Sequence, residues 1–135
     1  MTKIAQFNRL LFANKLIERG CGLFQEIKMK FGRIIASARE REGINQKQLA
    51  GRILKEDGRP ISPPYLNDIE HNRRTPSSDH MIEQFAEALD IHPELLYYAA
   101  RKIPASAYKV TAGEDRVIAA FEAFQRVLRA DKKVT

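Results

Sequence analysis

Apolar residues recur between residues 31 and 100 at the spacings of short amphipathic helices. A first helix is expected from about Phe31 to Glu42, and Gly43 follows as a left-handed cap that ends it. The residues expected to face inward are Ile34, Ile35 and Ala38.

Two further helices follow at Asn45 and Ser62. The Asn45 side chain can cap the N–H of Gln48 while Gln48 reaches back, which is the spacing of a capping box. The third helix has Ser62 as its N-cap and Pro63 at its first position, where a missing N–H costs nothing, and it runs to about His71. The inward residues of this pair are predicted to be Leu49, Ala50, Ile53, Leu66 and Ile69.

The connection between these two helices is long. Eleven residues separate Ala50 from Ser62, and Asp57-Gly58 predicts a turn within them. Such a length is tolerable, because the entropy cost of closing a loop rises slowly with its length.

Three more helices complete the pattern. Ser77 or Ser78 caps a fourth helix that reaches about Leu89, and Pro93 opens a fifth through Ala100. A last amphipathic stretch runs from Glu114 to Ala130.

The first 28 residues carry apolar side chains at loosely helical spacing, and Gly20 and Gly22 supply a stop. One explanation is a misplaced start, with Met29 as the true first residue. The other is an added helix that packs on the domain or on a partner. Both explanations stay open.

Composition and charge narrow the class of protein. Cys21 is the only cysteine, so no intrachain disulfide can form, and the apolar runs are too short for a membrane span or a secretory signal. We therefore expect a cytoplasmic protein that does not contact membranes. The net charge is +6, with +4 in residues 1–30, zero in residues 31–103 and +2 in residues 104–135. Affinity for nucleic acid must then come from local clusters and from the flanks.

Enzyme chemistry has little support. His71, His80 and His92 lack cysteine partners or metal-ligand spacing, and there is no glycine-rich phosphate loop. Ser78, Asp79 and His80 are consecutive residues at a helix start, where they cannot form a catalytic triad. We expect no catalysis, no metal and no cofactor.

The order of features from Arg33 to Ala50, and then from Ile61 to Glu70, closely resembles the helix-turn-helix domain of the phage repressor and Cro family. The resemblance covers about residues 30–100, roughly half of the chain. In that family the third helix lies in the major groove of DNA.

The resemblance implies an all-α fold with a five-helix, lambda-repressor-like DNA-binding domain at residues 29–103. An N-terminal helical extension, residues 1–28, would precede it. A C-terminal linker and amphipathic helix, residues 104–135, would follow it and could serve in dimerisation.

The resemblance also implies which residues contact DNA. Asn67 is the candidate for a direct base contact, since an amide can donate and accept one hydrogen bond each with adenine. Gln46 stands where family members have a glutamine that braces both a phosphate and the recognition helix, and Arg73 and Arg74 follow that helix where the DNA backbone should pass. The full expected set is Gln46, Lys47, Ser62, Pro63, Pro64, Tyr65, Asn67, His71, Arg73 and Arg74.

Two residues receive a structural role. In the resembling family an arginine of the first helix pairs with a glutamate that ends the third, and Arg39 and Glu70 occupy those places. We expect a partly buried ion pair that fixes the orientation of the recognition helix.

The C-terminal helix carries an apolar seam with spacings of four, three and four residues. Its residues are Val117, Phe121, Phe124 and Leu128. The seam either docks onto its own domain or pairs with a second copy, since family members commonly bind DNA as dimers.

The leading hypothesis is a sequence-specific transcriptional regulator that acts at the nucleoid as a dimeric repressor and reads double-stranded DNA with helix 62–71. The alternative is an antitoxin-type or other protein-interaction module that uses the same fold with weak or no DNA binding. The neutral charge of the domain and the Pro63-Pro64 pair favour that alternative modestly.

Overall fold

A computed structural model describes residues 29–76 and 78–130, so the predicted extension at residues 1–28 lies outside the described residues. The described chain forms six α-helices, with one 3-10 helix at Ala105–Lys109. They are α1 (Phe31–Arg41), α2 (Gln46–Arg52), α3 (Pro63–Glu70), α4 (Asp79–Leu89), α5 (Pro93–Ala99) and α6 (Glu114–Ala130). The predicted all-α fold with five helices before Pro104 is confirmed.

The chain divides into two compact units after Pro104. The first unit contains α1 to α5, and the second contains the 3-10 helix and α6. Within residues 29–76 and 78–130, no helix is long and apolar enough to cross a membrane.

Helix ends follow the local signals in the sequence. The Asn45 side chain accepts a hydrogen bond from the Gln48 N–H at 2.8 Å, and the Asn45 N–H donates to Gln48 Oε1 at 2.9 Å, so the predicted capping box is confirmed. Gly43 has a φ angle of 69°, the left-handed conformation expected after α1, and Asn72 adopts the same conformation after α3 with a φ angle of 58°. The predicted ends of α1, α3 and α5 each lie one residue beyond the observed ends, because Glu42, His71 and Ala100 are their C-caps.

The core of the first unit lies where α1 to α5 meet. α3 packs against both α1 and α2, while α4 and α5 pack against each other and against α1. The largest fully buried side chains are Ile35, Leu49, Ile53, Leu66, Ile69, Ile82, Phe85 and Leu96. The predicted inward residue Ile34 is only partly buried, and the ring of Phe31 lies edge-on to Phe85 instead.

Gly32 lets α1 approach the end of α3 closely. A Cβ atom at this position would lie 2.1 Å from the Ile69 carbonyl oxygen and 2.6 Å from that of Glu70. The Gly32 N–H donates to Asn72 Oδ1 at 2.9 Å. Only glycine therefore permits this crossing, which helps to position α3.

Residues 54–60, which we call the arm, form a small hairpin between α2 and α3. Leu54 and Pro60 form an antiparallel bridge, and the Lys55 N–H donates to the Arg59 carbonyl oxygen at 2.8 Å. The Gly58 N–H donates to the Lys55 carbonyl oxygen at 2.9 Å, and Gly58 has a φ angle of 81°. This is the pattern of a three-residue hairpin loop with glycine at its left-handed position.

Candidate nucleic-acid interface

The first turn of α3 faces solvent. Ser62 is its N-cap and accepts a hydrogen bond from the Tyr65 N–H at 3.3 Å, while Pro63 and Pro64 follow as the first two helical residues. All three of the residues 62–64 are exposed. This turn offers a short, rigid and largely apolar end that lacks two backbone donors.

The orientation of α3 is fixed by an ion pair beneath it. Arg39 Nε lies 2.6 Å from Glu70 Oε1 and Arg39 Nη2 lies 3.1 Å from Glu70 Oε2, an arrangement with two parallel hydrogen bonds. The Glu70 side chain is 4 % exposed and that of Arg39 is 15 % exposed. The hydrogen bond to Glu70 raises the pKa of Arg39 further above its ordinary range.

The same pair is linked to α2. Arg39 Nη1 donates to the Ile44 carbonyl oxygen at 2.9 Å, and Gln46 Nε2 donates to Glu70 Oε2 at 2.8 Å. Gln46 thus braces α3 through its side chain. Because its amide is engaged there, the predicted phosphate contact of Gln46 would require it to release Glu70.

Asn67 has partners on both sides of its amide. Its Nδ2 donates to Gln46 Oε1 at 3.3 Å, and its Oδ1 accepts from Arg73 Nη2 at 2.7 Å. The backbone carbonyl oxygen of Asn67 lies 2.8 Å from Nδ1 of the exposed His71. A contact from Asn67 to a base would therefore require that it exchange these partners.

Asp68 binds both arginines that follow α3. Its carboxylate lies 2.9 Å from Arg73 Nε and 3.4 Å from Arg74 Nε. The Arg74 guanidinium also lies 5.8 Å from the centre of the Tyr65 ring. The structure thus brings Tyr65, Asn67, Arg73 and Arg74 together on one surface, with Asp68 neutralising part of its charge.

The remaining predicted residues are more scattered. Lys47 is exposed at the start of α2, one residue after Gln46. Among the described residues, no group of three or more His, Cys, Asp or Glu side chains could hold a metal ion.

Three features of this domain were not predicted from the sequence. The first is the close crossing of α1 and α3 at Gly32, which a glycine in a helix can signal because it costs about 1 kcal/mol relative to alanine and often marks a packing constraint. Asp57-Gly58 between Leu54 and Pro60 is a known hairpin signal, although only a turn was predicted. The pairing of Asp68 with both arginines had no local signal, because it depends on how the chain folds back after α3.

Comparison with known proteins agrees with this geometry. Residues 35–96 match the family model described as helix-turn-helix. The chain is also 38 % identical over 69 residues to two proteins of Mycobacterium tuberculosis, the uncharacterized HTH-type transcriptional regulators MT0491 (strain CDC 1551 / Oshkosh) and Rv0474 (strain ATCC 25618 / H37Rv). The match covers 51 % of this chain but only 44 % of each relative. No solved structure matches the chain significantly.

Proposed function

We propose that this protein is a sequence-specific DNA-binding transcriptional regulator, because residues 35–96 match the helix-turn-helix family model. The observation that carries the proposal is the exposed first turn of α3 on a helix whose orientation is fixed from beneath by the Arg39–Glu70 ion pair. A rigid helix with a free N-terminal end is what insertion into the major groove requires. The two relatives are named as regulators, which supports the same proposal.

In this proposal, α3 lies in the groove, with Pro63 and Pro64 at its exposed N-terminal end. The two prolines contact thymine methyl groups or fix the entry of the helix, and Asn67 reads a base after releasing Arg73. Arg73 and Arg74 exchange Asp68 for phosphates of the DNA backbone. Because few hydrogen-bond donors face the bases, part of the sequence preference comes from DNA shape and deformability.

The regulator acts, in our proposal, as a dimeric repressor in the cytoplasm on an operator with two-fold symmetry. The support for a dimer is the apolar face of α6, on which Val117, Phe121 and Leu128 are each close to half exposed within the described chain. A second copy of α6 would cover that face.

The test uses full-length chain and DNA recovered by selection from a random-sequence duplex library. The variant Arg73→Ala plus Arg74→Ala should lose binding by about a hundredfold or more, since two phosphate contacts and their counterion release are removed. The control, Arg101→Asn plus Arg116→Ala, removes the same charge from the end of α5 and from α6, and should retain most of the affinity. Equal losses in the two variants would contradict a specific role for Arg73 and Arg74.

A protein-interaction module of the antitoxin type is the second candidate. The self-neutralising contacts of Asp68 favour it, because they reduce the positive charge that the surface offers to DNA. It becomes the leading function if the unaltered chain binds no duplex even at low salt.

A further inference from the structure

The arm, residues 54–60, projects into solvent next to the exposed N-terminal end of α3. It begins directly after Ile53, the buried C-cap residue of α2, and it ends before Ile61, which is also buried. The Ile61 N–H donates to the Ile53 carbonyl oxygen at 3.0 Å, so the base of the arm is closed by the backbone itself. The arm is thus a hydrogen-bonded hairpin and not an irregular loop between two helices.

Two side chains of α4 hold the arm in place. The Leu54 N–H donates to Gln84 Oε1 at 3.2 Å, and His80 Nε2 lies 3.0 Å from the Leu54 carbonyl oxygen. At the tip, Asp57 accepts two hydrogen bonds from the Arg59 guanidinium at 2.8 and 2.7 Å. These contacts lower the pKa of Asp57 below its ordinary value, so the carboxylate stays charged and paired.

Lys55 is the cation of the arm that makes no ion pair among the described residues. Asp57 is paired with Arg59, and the charge of Lys55 acts on Asp57 only from a distance, where it helps to lower the pKa of that carboxyl. Lys55 lines an open cleft of about 330 Å³ between the arm, α3 and α4. The cleft is also lined by Ser62, Tyr65 and Ser78, whose side chains carry hydroxyl groups, and by Glu56, which adds one carboxylate.

The length of α3 is similar to the width of the major groove. The arm lies at the N-terminal end of α3, whereas Arg73 and Arg74 follow its C-terminal end. The eight residues of α3 span about 12 Å at 1.5 Å per residue, and the major groove is also about 12 Å wide. The two ends of α3 can therefore face the two DNA strands that border the groove.

We propose that the arm is a second phosphate-contacting element, in which Lys55 binds the DNA strand across the major groove from the strand held by Arg73 and Arg74. This inference rests on the proposed DNA-binding function. It adds to that function a contact on the opposite strand, supplied by the long connection between α2 and α3.

The experiment measures fluorescence anisotropy of the full chain on the selected duplex over a range of salt concentrations. Lys55→Ala should weaken binding about threefold to tenfold near physiological salt and make the slope of log affinity against log salt shallower by about 0.9, the value for one phosphate contact. Glu56→Gln should tighten binding severalfold, because it removes a carboxylate from the same cleft. Arg101→Asn is the matched control, since it removes one cation from the end of α5, which packs on α1 and α4.

Each outcome decides a different point. The proposal is supported if Lys55→Ala changes both affinity and slope while Arg101→Asn leaves the slope unchanged. It is overturned if the two variants have the same effect, because Lys55 would then act only through the net charge. If the unaltered chain binds no duplex, both the proposed function and the arm contact are rejected. If the Arg73→Ala plus Arg74→Ala variant loses affinity as expected while Lys55→Ala binds like the unaltered chain, only the arm contact is rejected.

Discussion

At the scale of single residues, the orientation of α3 depends on Glu70. Its carboxylate receives hydrogen bonds from Arg39 and Gln46, so one side chain joins α1 and α2 to the end of α3. A buried charge that loses its partner is expensive to leave in place. Both α1 and α2 therefore hold α3 through this one carboxylate.

We predict that Glu70→Ala lowers the free energy of unfolding by about 3–5 kcal/mol, because it leaves the Arg39 guanidinium without its carboxylate in a mostly buried place. Thermal melting followed by circular dichroism measures the change. Glu87→Ala, an exposed position on α4, serves as the control and should shift the melting temperature little. A melting temperature that Glu70→Ala leaves unchanged would contradict the role of the pair.

Asp68 is the other decisive residue, because it holds both arginines in the free protein. Asp68→Asn should increase affinity for DNA about threefold to tenfold, since it releases Arg73 and Arg74 and removes a carboxylate that phosphates repel. Its effect on stability should be small, because exposed ion pairs contribute about 0–1 kcal/mol.

Anisotropy titrations on one duplex compare this variant with Asp90→Asn, which makes the same charge change after α4, where the left-handed backbone also suits asparagine. Weaker binding by Asp68→Asn would mean that the carboxylate positions the arginines for DNA instead of competing with it.

At the scale of elements, the position of α3 depends on how closely α1 crosses it. Gly32→Ala should reduce the free energy of unfolding by about 1–3 kcal/mol, because the new methyl group would collide with two carbonyl oxygens at the end of α3. Gly51→Ala is the matched control in α2, where no atom lies within 4 Å of the added Cβ. It should stabilise the protein by up to about 1 kcal/mol.

Urea denaturation of the two glycine variants gives both free energies. We expect the changes in the free energy of unfolding to have opposite signs, negative for Gly32→Ala and positive for Gly51→Ala. If Gly32→Ala is as stable as the unaltered chain, α1 can move away from α3 without cost and the close crossing has no energetic role.

The elements that sequence could predict are those with local signals. The starts of α2 and α3 were predicted from Asn45 with Gln48 and from Ser62 with Pro63, and both helices begin there in the structure. The hairpin shape of the arm and the crossing at Gly32 depend on contacts between residues far apart in the chain. Periodicity and capping carry no information about such contacts, so helices were predictable and their arrangement followed only from resemblance.

The same division applies to the candidate interface. Sequence position and resemblance located Asn67, Arg73 and Arg74 as candidates, and the structure brings them onto one surface. That Asn67 is bound on both sides, and that Asp68 pairs with both arginines, could not be read from the sequence. Those contacts require the chain to turn back at Asn72, and the partner choice is set by the resulting distances.

At the scale of the whole molecule, α6 supports the proposal of a dimer. Phe121→Asp in the full chain should halve the mass measured by light scattering, since a charge in the centre of an apolar helix pair is not tolerated there. Ala119→Asp adds the same charge on the opposite face of α6 and should leave the mass unchanged. A monomeric mass for the unaltered chain at micromolar concentration would reject the dimer without affecting the DNA-binding domain.

The central claim is that this chain recognises a particular DNA sequence through α3. Its most direct test is fluorescence anisotropy of the full-length protein on the selected duplex and on a scrambled duplex of the same composition, from low to physiological salt. We expect the selected duplex to bind at least roughly a thousandfold more tightly, with an affinity that falls steeply as salt rises. Equal and weak binding to both duplexes would contradict it.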